Sequence, residues 1–318
     1  MEGEGVIKHK AYARVGLLGN PSDVYYGNTI SLSLANFSAT VTLHPSNDLL
    51  IQPHPIHDFV RFTSLPQLVF HNYCKENAIT LTEKNFTLSY DTDIPRQTGL
   101  SGSSAIVCAA LNCLLDFYDV RHLIKVEVRP GLVLAAENEL GIVAGLQDRV
   151  AQVYGGLVYM DFSKENMDKL GHGVYEPLDM NLLRPLHLIY AENPSDSGKV
   201  HSQVRQRWLN GEEFIVSSMK EVANLAKEGR KALEENDKSK LAALMNRNFD
   251  LRMSMFGDAA LEKSAPKFTG SGEAVVVYCP HGNSHVKLLK EECNQIGFVL
   301  QPIELVPSSL NDTDLKIF

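Results

Sequence analysis

The chain has 318 residues, 44% hydrophobic and 21% charged, which excludes a collagen-like repeat and wholesale disorder and leaves room for about two domains. Against 38 acidic residues stand 30 lysines and arginines, a net charge of −8, and an acidic chain without a basic block is a poor general nucleic-acid binder. The five cysteines are scattered with no C-x-x-C pair, so zinc ribbons and dithiol motifs are excluded and free thiols in a reducing compartment are the simplest reading. Met1 to Gly5 lacks a basic-then-apolar signal and no run of about 18 apolar residues occurs. A cytoplasmic protein is expected, with no membrane contact and no obligate protein partner.

The first ninety residues read mostly as strand. Ala13 to Gly19 is an apolar run ending in a Gly-Asn-Pro turn, and Ile30 to Leu43 and Phe86 to Tyr90 alternate in the strand period. Pro95 to Gly102 is a glycine-punctuated loop, and Ser103 to Tyr118 is an apolar helix with small residues on several faces, as suits a buried helix. Pro130 fits the first turn of a helix through Leu140; Gly141 and Gly145 break it, Leu146 to Val153 resumes it, and Leu157 to Phe162 is a strand. A second region begins near Leu186 with a strand to Ala191. Amphipathic helices follow around 199–209, 212–235 and 237–254, then a strand Ala274 to Cys279, a helix 284–296 and a strand 297–303. Strands and helices mixed in both halves predict an α+β fold.

The nucleotide-loop tests discriminate. Gly198-Lys199 is followed by Val200 and lacks the upstream glycine of a P-loop, and Gly270-x-Gly272 lacks the last glycine of the dinucleotide fingerprint. Pro95-Arg96-Gln97-Thr98-Gly99-Leu100-Ser101-Gly102-Ser103-Ser104-Ala105 is different. Glycines let backbone N–H groups approach a ligand, and the helix that starts at once adds unpaired N–H groups and a positive dipole end, which suits phosphate. The plainer reading is that Ser103 or Ser104 caps a core helix.

With its neighbours this loop resembles the signature of the GHMP kinases, the family of galactokinase, homoserine kinase and mevalonate kinase. Three motifs stand in the family's order: Ala13-Arg14-Val15-Gly16-Leu17-Leu18-Gly19-Asn20-Pro21-Ser22-Asp23, then Pro95 to Ala105, then Thr269-Gly270-Ser271-Gly272. The segments Gly19 to Asn28, Gly145 to Gln152 and Asn193 to Ser202 are similar to the branch that phosphorylates D-glucuronic acid. The resemblance implies a two-domain GHMP kinase fold, with a ribosomal protein S5 domain 2-like domain at 1–180 and a ferredoxin-like domain at 181–318. It implies ATP and Mg²⁺, and glucuronate 1-phosphate as a product that feeds UDP-glucuronate synthesis. Galacturonate, a neutral sugar or mevalonate is the alternative acceptor, and a nucleotide-binding paralogue without catalysis the alternative class.

Residue by residue, the resemblance makes Asp148 the catalytic base and Arg14 the cation beside it. Gly99, Ser101, Gly102, Ser103, Ser104, Gly270, Ser271 and Gly272 hold the nucleotide, Ser104 and Glu137 hold Mg²⁺, and Asn20, Asp23 and Tyr26 meet the sugar. The plain alternatives are an exposed helix carboxylate for Glu137 and a local partner of Arg149 for Asp148. Eleven residues along one straight helix is about 16 Å, so the glycines at 141 and 145 must fold the segment back if both carboxylates serve one phosphate. A uronate carboxylate calls for a cationic clamp, for which Arg14, Arg96, Lys199, Arg205 and Arg207 are the candidates. Tyr25 and Tyr26 wall the sugar or fill the core, Trp208 reads as packing, and His44, His54 and His57 have no metal-ligand spacing. Two departures from the family stand out: Glu273 replaces a small residue, and Phe256 to Lys267 is short and poorly helical where a further helix is normal. The stretch Thr63 to Leu68 also reads as abbreviated.

Overall fold

A computed structural model describes residues 5–54, 61–142, 144–183, 185–192, 198–256, 274–279 and 282–315. The chain opens with β1 (Ile7–Leu18), a 3-10 turn (Ser22–Tyr25) and the long β2 (Asn28–Ser46). There follow β3 (Leu50–Ile51), α1 (Arg61–Glu76), β4 (Asn85–Thr92), α2 (Gly102–Phe117), α3 (Arg129–Glu139) and α4 (Gln147–Tyr154). The first half closes with β5 (Leu157–Asp161), α5 (Lys164–Leu170) and β6 (Val174–Leu178). The second contains β7 (Leu186–Ala191), α6 (Gly198–Leu209), α7 (Glu213–Glu234), α8 (Lys238–Phe256), β8 (Ala274–Tyr278), α9 (Asn283–Gln295), β9 (Phe298–Pro302) and the single turn α10 (Asp312–Leu315).

Six strands form one sheet in the order β3-β4-β2-β5-β6, with β1 added to β2, and β8-β7-β9 form a second sheet. β1 and β2 pair antiparallel with register shifts at Tyr12/Ala13 and Gly16/Leu18. An extra residue at such a bulge bends the strand and re-aims its side chains, and here the second shift lies within the first motif. Ala11, Ala13, Val15 and Leu17 of β1 and Ile30, Leu32 and Leu34 of β2 form the apolar face, and with Thr29, Ser31 and Ser33 also buried both faces of β2 are covered there. α2 covers it with Ala105, Ala109 and Ala110 among its buried residues; small side chains let the helix lie close to the strands.

α7 supports the other end of β1. A Cβ on Gly229 would stand 2.1 Å from Leu18 Cδ1, so glycine is needed for the approach. The chain does not finish in the second sheet. After β9 it returns to the first: Leu305 bridges Leu34, Ser308 bridges Gly155, and Arg129 Nη1 donates to Asp314 Oδ1 at 2.5 Å with both side chains only 2% exposed.

Most elements lie within two residues of their predicted bounds. α1 is the main addition, running through the stretch Thr63 to Leu68 with Pro66 inside it. α5 and β6 were also not expected. The segment 257–273 and residues 193–197 lie outside the described residues, and with them Gly270, Ser271, Gly272, Glu273 and most of Phe256 to Lys267.

Candidate active site

The loop before α2 has a distinctive backbone. φ alternates in sign, with Gln97 at 59°, Gly99 at 73° and Ser101 at 62°, and Thr98 and Leu100 negative between them. Positive φ is uncommon for a residue with a Cβ, and two of these three are not glycine. Alternation of this kind curls successive N–H groups into an anion-binding hollow, and the α2 N-terminus opens beside it.

Ser101 is the N-cap residue of α2, but no side chain makes a capping hydrogen bond there. The serines are used otherwise. Ser101 Oγ donates to Asp148 Oδ2 at 2.7 Å, Ser103 Oγ to Glu137 Oε1 at 2.7 Å, and Ser104 Oγ to Glu137 at 3.0 and 3.1 Å. The helix-cap reading of Ser103 and Ser104 is therefore replaced by contacts to α3.

Asp148 is partly open, its side chain 22% exposed, and Arg14 Nη2 lies 2.6 Å from its Oδ2. Arg14 is itself buried and donates to Gly99 O at 3.1 Å, so one guanidinium ties the first motif, the loop and α4 together. Burial alone would raise the Asp148 carboxyl. The Arg14 and Arg149 charges and the hydrogen bonds from Arg14 and Ser101 outweigh it and hold the group below the usual carboxylate range.

Glu137 is fully buried, so it is not an exposed helix carboxylate. Arg149 Nε donates to its Oε2 at 2.6 Å, and Arg149 Nη1 lies 3.6 Å from Asp148 Oδ2. Arg149 thus spans both carboxylates, and its main partner is Glu137 rather than Asp148. The break at Gly141 and Gly145 brings α4 back beside α3.

Gly145 is set against Asp23: a Cβ there would stand 1.8 Å from Asp23 Oδ2. That oxygen accepts from Gln147 N at 3.1 Å. Burial pushes the Asp23 carboxyl up to about 6, the Gln147 hydrogen bond opposes it, and the charge on Asp148 adds to it. Asn20 Oδ1 accepts from Arg252 Nη1 of α8 at 3.0 Å. Tyr26, 48% exposed, stands outside this bonded cluster. Tyr25 packs on Trp208 with ring centroids 5.3 Å apart, which agrees with the packing reading of the tryptophan.

The clamp candidates separate. Arg207 pairs with Glu212, its Nε donating at 2.7 Å. Arg96 and Arg205 are exposed. The Lys199 side chain lies outside the described residues. Sequence reasoning placed Arg149 only as a partner of Asp148 and gave no part to the buried Arg121, Arg129 and Arg252. The signal was present for Arg252: Asn248 and Arg252 sit four residues apart, on the same helix face as buried Leu241 and Met255. Gln147 and Gln152 were also missed. Gln152 Nε2 donates to Ser101 O at 2.9 Å and to Tyr12 O at 3.1 Å, fastening the loop from below.

Residues 67–156 match the family model described as GHMP kinases N terminal domain. Glucuronokinase 1 of Arabidopsis thaliana is 64% identical over 344 aligned positions, which cover 98% of this chain and 95% of that protein. This chain is a GHMP kinase. The alignment is longer than the 318 residues of the chain, so the relative carries segments that this GHMP kinase lacks. Two solved structures share its fold at 15% identity. The Lin0012 protein from Listeria innocua has a TM-score of 0.78 over 97% of this chain and 100% of its own. Lactococcus lactis galactokinase complexed with galactose has 0.75 over 96% and 95%. The fold is the two-domain α+β fold of the family, whose kinases use ATP on small molecules. No helix among the described residues is long and apolar enough to cross a membrane.

Proposed function

We propose that this GHMP kinase transfers the γ-phosphoryl group of ATP to the anomeric hydroxyl of D-glucuronic acid, giving glucuronate 1-phosphate and ADP. The observation that carries the reading is the Arg14–Asp148 ion pair at 2.6 Å, held beside the positive-φ loop and the N-terminus of α2. The 64% identity to Glucuronokinase 1 supports the choice of acceptor.

Phosphoryl transfer asks for alignment and charge neutralisation more than for covalent chemistry. The sugar O1 forms a bond to the γ-phosphorus as the bond from that phosphorus to the ADP oxygen breaks. The O1 proton passes to the Asp148 carboxylate, which its arginine partners keep ionised and ready to accept. A loose transition state needs little basicity from that carboxylate. Arg14 neutralises charge on the group in transit. The N–H groups of Gly99, Ser101, Gly102, Ser103 and Ser104 cradle the phosphates, and Gly270, Ser271 and Gly272 are assigned to the same nucleotide. Asn20, Asp23 and Tyr26 are assigned to the sugar.

The residues fit Mg²⁺ at Ser104 and Glu137. The ion takes oxygen ligands about 2.0–2.1 Å away, so two adjacent ligands stand about 3 Å apart, and Ser104 Oγ lies 3.0 and 3.1 Å from the Glu137 oxygens. Among the described residues no group of three or more His, Cys, Asp or Glu could hold a metal. Ser104 and Glu137 would hold the ion, which would supply positive charge against that of the phosphates.

The assignment of 1–180 to the loop and base and of 181–318 to the second domain belongs to the same reading. So does a cytoplasmic location, favoured by five free cysteines. The test is ADP release with ATP and Mg²⁺ over a panel of glucuronate, galacturonate, glucose, galactose and mevalonate, with the product phosphate located by phosphorus NMR. Turnover of glucuronate to an anomeric phosphate is expected. Brisk turnover of another acceptor with none of glucuronate rejects the substrate.

A further inference from the structure

Gln152 lies on α4 one turn beyond Asp148, is 3% exposed and takes no part in the chemistry above. Its Nε2 donates to Ser101 O at 2.9 Å and to Tyr12 O at 3.1 Å. Both partners are carbonyls, which only accept, so the amide can face them by its NH₂ end alone. That orientation leaves Gln152 Oε1 buried with no hydrogen-bond partner among the described residues. A buried acceptor left unpaired is destabilising, and methionine would fill the same space without one. What the glutamine adds is its two donated bonds.

Those bonds complete a pattern. Three successive carbonyls of the loop are all held from the side of β1 and α4: Gly99 O by Arg14 Nη1 at 3.1 Å, Leu100 O by Arg14 N at 3.3 Å, and Ser101 O by Gln152. A trans peptide unit carries its C=O and the next N–H on opposite edges. Holding these carbonyls therefore turns the N–H groups of Leu100, Ser101 and Gly102 the other way, to the side that a phosphate must occupy to meet them. Ser101 is the residue with most to lose. Its φ of 62° is one that a side chain rarely adopts, and such a conformation persists only where its surroundings fix it. Its Oγ also donates to Asp148 Oδ2 at 2.7 Å, so Asp148 and Gln152, successive on one face of α4, grip Ser101 by side chain and by carbonyl. Tyr12 stands where β1 shifts its register on β2, so the second bond anchors the amide to the sheet.

We infer that Gln152 is a positioning residue for the nucleotide: by fastening the Ser101 carbonyl to α4 and β1, it holds the loop in the shape that its N–H groups need to meet phosphate. The inference rests on the proposed seat of the nucleotide at this loop. Without the two bonds Ser101 is released from its positive φ, the loop must be ordered anew at each binding event, and affinity for the nucleotide falls.

The experiment compares the natural protein with Gln152→Met, which keeps the length of the side chain and removes the donors. Affinity for a non-hydrolysable ATP analogue is read by calorimetry in the absence of sugar, KM for ATP and for glucuronate by steady-state kinetics, and exchange of the 99–104 amides by hydrogen-exchange mass spectrometry with and without the analogue. In the variant, analogue affinity should fall and KM for ATP rise by about tenfold, the effect of losing two hydrogen bonds that keep a loop ready, while KM for glucuronate stays within about twofold. The 99–104 amides of the unliganded variant should exchange faster than those of the natural protein. A glutamine that only fills space would lower the melting temperature and leave analogue affinity and loop exchange where they were; that result, or an equal rise in both KM values, overturns the inference. If the methionine variant does not fold, Gln152→Asn serves. Its amide is one methylene short of spanning both carbonyls, so analogue affinity must fall severalfold, and an unchanged affinity is again fatal. The failures are distinguishable. An analogue that binds the natural protein without slowing exchange at 99–104 sits elsewhere, which defeats the proposed nucleotide seat and the inference with it. Protection at 99–104 together with undiminished binding by Gln152→Met defeats only the role of Gln152.

Discussion

Asp23 and Asp148 are two carboxylates of one cleft in opposite settings. Burial drives Asp23 up to about 6, while arginine charges overcome burial at Asp148 and push it down. Between the two values the site holds a proton on Asp23 and none on Asp148, and at neutral pH both carry charge. Asp148→Asn is expected to abolish phosphoryl transfer while leaving nucleotide affinity largely intact, as measured by ADP release alongside calorimetric titration with a non-hydrolysable ATP analogue. Full turnover in that variant would remove Asp148 as the base. Asp23 makes a claim on stability. Its carboxyl is raised in the folded chain from an ordinary 3.8, so its favourable contribution is present below pH 4 and is lost as pH rises through about 6. Asp23→Asn keeps an oxygen for Gln147 N and removes the charge. It should be more stable than the natural protein at pH 7 by on the order of 1–2 kcal/mol, allowing for the part of the carboxylate open to water, and about equal to it at pH 4. Urea denaturation at the two pH values checks this, and a gain that is the same at both would contradict the sign.

At the scale of elements, the turn from α3 to α4 does the decisive positioning. Gly145 admits Asp23, and Arg149 reaches back to Glu137. Gly145→Ala should expel Asp23 from its place, since the added carbon meets Oδ2 at 1.8 Å. A rise in KM for the sugar of about tenfold or more, with KM for ATP little changed, is the expected kinetic outcome for a displaced hydrogen-bonding carboxylate. Arg149→Ala leaves Glu137 buried without its cation, which costs on the order of 3–5 kcal/mol; a drop in the urea midpoint at unchanged slope is the readout. Much at this scale was legible. β7, Leu186–Ala191, matches its predicted bounds, and the amphipathic α6, α7 and α8 announce themselves by spacing. α1 was not legible because Pro66 interrupts it and proline argues against a helix interior. The pairing of the serines with α3 was hidden as well, for a serine ahead of an apolar helix reads locally as a cap, and the buried carboxylate that claims it lies 33 residues away.

The whole molecule is held by contacts that no local pattern reveals. Arg252 and Asn20 are 232 residues apart; along the sequence Arg252 looks like one more cation on a polar helix, and only the docking of α8 against β1 brings it to Asn20. The motif order exposed the first two parts of the site, Arg14 and the loop with its serines, because glycines and small hydroxyl residues are required wherever backbone must approach a ligand. The return of the chain after β9 was not legible, since Val306 to Asp314 has neither helical nor strand period. Yet it seats Asp314, 2% exposed, on Arg129 and within 3.5 Å of Arg121. Asp314→Ala strands the Arg129 cation, whereas Arg121 keeps Asp116 at 2.5 Å, and about 3–5 kcal/mol of stability should disappear, seen as a lower melting temperature. A melting temperature within error of the natural value would mean that this buried pair is not holding the tail in place.

That tail has a consequence for synthesis. Leu305 and Ser308 complete backbone bridges to Leu34 and Gly155, so strands of the first sheet are finished by residues made long after them. A ribosome translating this message exposes the opening sheet well before the codons that close it have been read. Until those residues emerge the early half is incompletely clasped, and a chain stopped before Leu305 lacks both bridges, which leaves it the more open to proteolysis.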